Sequence, residues 1–377
     1  MNMRKHKRRV WIWLVGVFLV VMIGLGLFIK FDTAAAAELT DNYLRPILGP
    51  TIVISLEKFY FNLADLFQKQ LYNPKSNVGV TYVDVGDTTG IDMSKTRLNL
   101  QPIPMLVPSF TPASDEGKWR VRKLAAFPGE ADMAFTYVRP DPMRAYADVT
   151  LLQIDMQKMR IGSVAGKTQP GGPVGMPGPG KVPAEVVSSG ALVAAFDGGF
   201  QYRDGQYGMI VGDTTYLPLK HDLATLVSYA DGRLALIDYQ GQDLGKGVVF
   251  VRQNCPMLIA NGQVASNDPA NKKLWGRTLT SGIYTWRSGL GLTKDGNIIF
   301  AVGNNLTPET LAAALKAGGA VSAMQLDINP NWVRFNIFDT LGGGQNKTST
   351  LLKELRDGSS FYLHGYNKDF FYLYKPL

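Results

Sequence analysis

Residues 191–200, Ala-Leu-Val-Ala-Ala-Phe-Asp-Gly-Gly-Phe, decide how the rest of the chain is read. A short continuous apolar run closed by turn residues predicts a fully buried strand, here ending at Asp197, Gly198 and Gly199. Glycine reaches positive φ without steric cost, so the pair predicts a tight turn. A carboxylate at the exit of such a strand is fixed by the scaffold, and the glycines let a ligand approach the backbone. Asp-Gly-Gly is also the composition of a plain hairpin turn, so this stretch alone leaves both readings open.

A set of phrases in fixed order follows. Tyr207 to Asp213 is a glycine-rich strand, Ala230 to Leu236 contains an Asp-Gly turn, and Asn254-Cys255-Pro256-Met257-Leu258-Ile259 precedes Asn261-Gly262. Gly276-Arg277-Thr278, the stretch Leu292 to Phe300, and Met324-Gln325-Leu326-Asp327 complete the set. This series resembles the phosphodiester glycosidase family, whose phrases run roughly Asn-Gly-Gly-Phe-Phe, Gly-Pro-x-Leu, Arg-Thr, Asp-Gly and Leu-Asp-Gly-Gly. The resemblance spans roughly residues 130–340. Two departures stand out: the family's asparagine is Asp197 here, and its closing Asp-Gly-Gly is Asp327-Ile328-Asn329.

The resemblance implies hydrolysis of a sugar-1-phosphodiester. Asp197 and Asp327 are the candidate catalytic pair, because glycoside cleavage uses one carboxyl as acid and another as nucleophile or base. Arg277 is the candidate for holding the phosphate, since a guanidinium offers parallel donors to its oxygens. Gly198, Gly199, Thr278 and Asn329 complete the expected substrate-binding set. The departures leave open a second reading, a catalytically lapsed member that binds glycan or an envelope partner.

The chain has 377 residues, 46% of them hydrophobic, with a net charge of +8. Arg4, Lys5, Lys7, Arg8 and Arg9 supply five of those charges, and no arginine-aromatic stripe follows, which argues against nucleic acid as a partner. Residues 10–29 carry no charge, and a 20-residue helix spans roughly the 30 Å of a bilayer core. They predict a single-pass signal-anchor in the cell membrane. The basic residues before it place residues 1–9 in the cytoplasm and the rest outside. Ala34 to Ala37 offer a peptidase site near Ala36 that would release the anchor instead.

Apolar residues recur at helical intervals from Leu39 to Leu71, which predicts a juxtamembrane helical segment over 30–75. Residues 76–116 hold repeated prolines and read as an extended linker or a strap over a surface. The domain proper is expected over 117–377. Its segments Ala134 to Pro140 and Ala147 to Asp155 read as strands, and residues 168–183, rich in proline and glycine, read as a long surface loop that either arches over the site or merely spaces it. Further short apolar segments are separated by Asp-Gly and Asn-Gly turns at 231, 261 and 295. Thr307-Pro308-Glu309 opens one helix, closed by Gly318-Gly319, and the strand after it ends in Asp327. The fold class expected is α+β, with a curved, mainly antiparallel mixed sheet and a few helices, preceded by a transmembrane helix.

His6, His221 and His364 stand in no zinc-binding spacing. No cofactor is assigned, and a divalent cation would have to be held by oxygen ligands. Cys255 is the single cysteine and reads as a small buried hydrophobe, while His364, among aromatics, reads as a hydrogen-bonded strand residue.

Overall fold

The computed structural model describes residues 47, 49, 63, 65–73, 85–86, 90–122, 131–265, 275, 284–341 and 345–376. The expected anchor at 10–29, most of the segment 30–75, and both Arg277 and Thr278 lie outside them. Among the described residues no helix is long and apolar enough to cross a membrane. The chain divides into two units, Met1–Phe67 with Thr278–Gly282 and Gln68–Arg277 with Ile283–Leu377. The first falls almost wholly outside the described residues; the second carries everything below.

Its strands begin with β1 (Val85–Gly86), β2 (Arg120–Arg122), β3 (Met133–Val138), β4 (Val149–Ile154) and β5 (Arg160–Val164). Helix α1 (Ala184–Ser188) leads into β6 (Leu192–Asp197). A run of hairpins follows: β7 (Met209–Val211), β8 (Thr214–Leu217), β9 (Leu223–Tyr229), β10 (Leu234–Tyr239) and β11 (Val248–Asn254). Next come β12 (Ile259–Ala260), β13 (Gln263–Val264), β14 (Thr285–Thr293) and β15 (Ile298–Leu306). Helix α2 (Pro308–Ala317) precedes β16 (Ala320–Ile328), β17 (Phe335–Leu341) and β18 (Gln345–Thr350). Helix α3 (Ser359–His364) and β19 (Phe370–Tyr374) come last.

The class is α+β, but the strands form three sheets where one was expected. The first is ordered β1-β2-β3-β4-β15-β14-β16-β12-β13, the second β10-β9-β11-β7-β8 and the third β18-β17-β6-β19-β5. Each turn foreseen from an Asp-Gly or Asn-Gly pair closes a hairpin: β9 to β10, β12 to β13, and β14 to β15. The backbone demand is plain at Asn261 and Gly262, whose φ of 51° and 73° suit the tight turn that matches strand twist. Thr307 caps α2 by accepting from the Thr310 N–H, and the Thr310 hydroxyl accepts from the Thr307 N–H, so two otherwise unpaired donors are satisfied.

β6 is buried along its whole length between β17 and β19, as its continuous apolar run requires. It does not enter a hairpin. After Asp197 the chain leaves the third sheet and reaches β7 of the second. Phe196 anchors the exit: its ring stacks on Phe335 at 5.2 Å between centroids and meets Phe300 at 5.2 Å and Phe371 at 5.5 Å. Aromatic burial of this kind fixes the backbone immediately before Asp197.

Residues 91–118 run over the first sheet, with Leu98 and Ile103 buried beside Trp119. The Pro/Gly-rich stretch is pinned as well: the Lys167 N–H donates to the Tyr366 carbonyl, the Tyr366 N–H to that of Gly180, and the Val182 N–H to that of Tyr362. It braces the segment that carries Tyr362 and Tyr366. His364, expected on a strand, closes α3 and is exposed, because Gly358 and Gly365 bound a helical turn there.

Candidate active site

The ends of all three sheets meet in one buried polar cluster. Asp197 closes β6, Asp327 lies one residue before the end of β16, Ser288 lies in β14 beside it, and Arg252 and Asn254 close β11. Lys368 and Asp369 stand directly ahead of β19.

Asp197 is 3% exposed, and both its oxygens are engaged. Oδ1 accepts from the Arg334 N–H at 3.0 Å; Oδ2 accepts from the Ser288 hydroxyl and from the Asp327 N–H at 3.2 Å. Burial first, and then the charge of Asp327, push its carboxyl up to about 7 against the pull of those hydrogen bonds. Asp327 is equally buried. Its Oδ1 accepts from the Ile328 N–H at 2.9 Å and its Oδ2 pairs with the Lys368 ammonium. Burial raises the Asp327 carboxyl, and Lys368 pulls it part of the way back.

A second ion pair ties the sheets together. Arg252 Nε and Nη2 reach Asp369 Oδ2 and Oδ1 at 2.8 and 3.1 Å, a bidentate arrangement, and Asp369 Oδ2 also accepts from the Gly199 N–H at 3.0 Å. Asn254 donates to the carbonyls of Gln325 and Leu326 and accepts from the Phe200 N–H. One amide therefore joins β11, β16 and the segment that leaves β6.

The glycines after Asp197 serve close approach and not positive φ. Neither Gly198 nor Gly199 has a left-handed backbone. A Cβ on Gly198 would sit 2.2 Å from Asp369 Oδ2, and one on Gly199 would sit 2.4 Å from Arg252 Nη2. Gly199→Ala is expected to push the guanidinium off Asp369 and cost about 1–3 kcal/mol, read as a lowered urea midpoint. An unchanged midpoint would show that the pair tolerates the displacement.

Asn329 has a φ of 73°, a conformation that asparagine tolerates better than most residues, which accounts for its standing where the family carries glycine. Its Oδ1 accepts from the Thr285 hydroxyl at 3.1 Å, and its carbonyl accepts from the N–H groups of Trp332 and Val333. Cys255 is fully buried, and burial pushes its thiol up to about 12, so it is no nucleophile. Among the described residues no group of three or more His, Cys, Asp or Glu side chains is placed to hold a metal ion.

The family model for phosphodiester glycosidases matches residues 190–327. That segment is a little over a third of the chain. Among solved structures, the zebrafish N-acetylglucosamine-1-phosphodiester alpha-N-acetylglucosaminidase catalytic domain, auto-inhibited by its pro-peptide, is similar at 12% identity over 69% of this chain and 88% of that one, with a TM-score of 0.39. A protein from Synechocystis described as hypothetical is similar at 12% identity over 68% of this chain and 62% of that one, with a TM-score of 0.33. No curated protein sequence matches.

The matched segment begins just before β6 and ends on Asp327 itself. Asp197, Gly198, Gly199, Arg252, Asn254 and Ser288 fall within it. Lys368, Asp369 and Arg334 lie outside the phosphodiester glycosidase match, although they touch Asp327, Gly199 and Asp197. Arg252, Ser288 and these three were not foreseen from the sequence. A Lys-Asp pair directly ahead of the apolar run Phe370 to Tyr374 is a signal that would have pointed to two of them, the same acid-beside-buried-strand pattern as Asp197.

Proposed function

We propose that the protein hydrolyses a sugar-1-phosphodiester, with Asp327 as the carboxyl that handles the proton or attacks the sugar carbon. The observation that carries this reading is the buried Asp327–Lys368 pair at the end of the family-matched segment. A carboxyl that burial raises and a neighbouring ammonium pulls back is tuned by opposed influences of the kind that proton transfer uses. Asp197 enters as a positioning residue in place of the second reacting acid expected from sequence. Its oxygens are taken up by Ser288 and by the backbone of Asp327 and Arg334, so it fixes the strand that presents Asp327. Arg277 and Thr278 stay proposed contacts to the substrate from the Arg-Thr phrase. The reading includes a membrane anchor over residues 10–29, an N-terminus in the cytoplasm, and substrates among envelope or exported glycans.

The test is release of nitrophenol from a panel of nitrophenyl sugar 1-phosphate diesters by the full chain in detergent. Turnover that disappears in Asp327→Asn supports hydrolysis by this site. Saturable binding of the same diesters with no release points to the second reading, a binding module, which the departures at Asp197 and at Ile328-Asn329 favour. Neither release nor binding across the panel overturns both.

A further inference from the structure

Arg334 is buried, 7% exposed, in the turn that links β16 to β17. Its Nε and Nη2 donate to the Asn331 carbonyl at 3.3 and 3.1 Å, and its Nη1 donates to the Asp357 carbonyl at 3.2 Å. All these partners are carbonyl oxygens. A guanidinium has five N–H donors, so three directed at carbonyls leave two without a partner among the described residues. Buried cations are ordinarily matched by an anion, and carbonyl dipoles supply only part of that.

The guanidinium faces an aromatic wall. Its carbon lies 5.1 Å from the centre of the Phe361 ring and 5.8 Å from that of Tyr366, and Tyr362 meets Tyr366 edge-on at 5.9 Å. The hydroxyls of Tyr362 and Tyr366 are buried with no hydrogen-bond partner among the described residues. Leaving such a group unpaired costs about 1–3 kcal/mol, and here there are two side by side. Both hydroxyls lie within electrostatic reach of Arg334, Asp327 and Asp197.

Charge decides what would satisfy them. Asp369 is paired with Arg252 and Asp327 with Lys368, while burial raises the Asp197 carboxyl to about 7. Arg334 has Asp357 within electrostatic reach, but that carboxylate is bound by Asn336 and the Ser359 N–H and makes no ion pair with it among the described residues. Spare guanidinium donors and two hydroxyl donors, on a cation to which no carboxylate is bonded, complement a singly charged oxyanion.

We propose that Arg334, with the hydroxyls of Tyr362 and Tyr366, forms an oxyanion subsite that holds the phosphoryl group of the substrate beside Asp327. The proposal rests on the reading of this site as one for sugar phosphodiesters, and adds the group that selects phosphate over a neutral glycoside. It also places that recognition outside the family-matched segment.

The experiment is titration calorimetry of the full chain in detergent with inorganic phosphate, alongside KM and kcat for whichever diester is cleaved. Tyr366→Phe removes only an unpartnered hydroxyl. It is expected to keep or raise the melting temperature while weakening phosphate binding by about 10-fold, the worth of one hydrogen bond to a charged group. Arg334→Lys keeps the charge but loses the fork, and should weaken phosphate by about 10-fold or more and raise KM with kcat little changed. Phosphate affinity and KM unchanged in a folded Tyr366→Phe, Tyr362→Phe double variant would overturn the subsite even if hydrolysis is seen. Phosphate binding that is lost in Arg334→Lys, in a protein that cleaves no diester, would keep the subsite and sink the hydrolase reading.

Discussion

Asp327→Asn is expected to lower turnover by about 100-fold or more, because an amide can neither carry the proton nor attack the sugar carbon. It should also destabilise the protein. Lys368 is 4% exposed, and its carboxylate partner is Asp327. Removing one member of a buried pair leaves the other charge uncompensated at a cost of about 3–5 kcal/mol. Loss of activity could then reflect loss of fold, so the informative variant is the double one, Asp327→Asn with Lys368→Met. The flexible apolar chain of methionine fills much of the space of lysine and removes the orphaned charge. The double variant should recover most of the urea midpoint and none of the turnover. Recovery of both would remove Asp327 from the reaction.

Asp197→Asn should do the reverse, sparing activity and changing how stability depends on pH. A carboxyl whose folded pKa is about 7 and whose ordinary value is 3.8 holds more protons folded than unfolded throughout that interval. Its contribution to stability is fully present below the lower value and is lost as pH rises through the upper one. Between pH 5 and 8 the wild type should lose on the order of 3 kcal/mol relative to the variant, at about 1.4 kcal/mol per unit over roughly two units. The hydrogen bonds permit the amide. Nδ2 would donate to Ser288 Oγ, whose proton can turn to the Asp327 carbonyl 3.2 Å away, and Oδ1 would keep the Arg334 N–H. The Asp327 N–H retains Ser288 Oγ at 3.1 Å. Urea midpoints at the two pH values measure the effect, with turnover expected within a few-fold of wild type. A 100-fold loss of turnover in a folded Asp197→Asn variant would make Asp197 a reacting acid.

What was legible in the sequence was whatever is written locally. β6 announced itself because a strand buried on both faces is a continuous apolar run, and β16 because it follows a capped helix closed by Gly318-Gly319; an acid at the end of either is conspicuous. The Asn261-Gly262 hairpin was legible because its φ values admit few residue types. The partners of those acids were not. Arg252 reads as one charge at the end of a strand, and nothing near it in the sequence says that its counter-ion is Asp369, 117 residues on. Gly198 and Gly199 were singled out for a tight turn and for ligand approach; in the structure they make room for Asp369 and Arg252, a tertiary demand that local sequence does not record. The division into three sheets was hidden for the same reason, since β6 pairs with β17 and β19 and with no sequence neighbour.

That pairing also sets an order of assembly. A nascent chain that has just completed β6 holds Asp197 but has not yet made Ser288, Asp327 or Arg334, and both strands that will flank β6 are still to be synthesised. The entropy of closing such long loops must be met before any of these contacts repays it, so docking of β19 belongs to the slow, late part of folding. A ribosome-bound chain halted just short of Lys368 would already contain every residue of the family-matched segment, and would still lack the cation that faces Asp327 and the acid that faces Arg252.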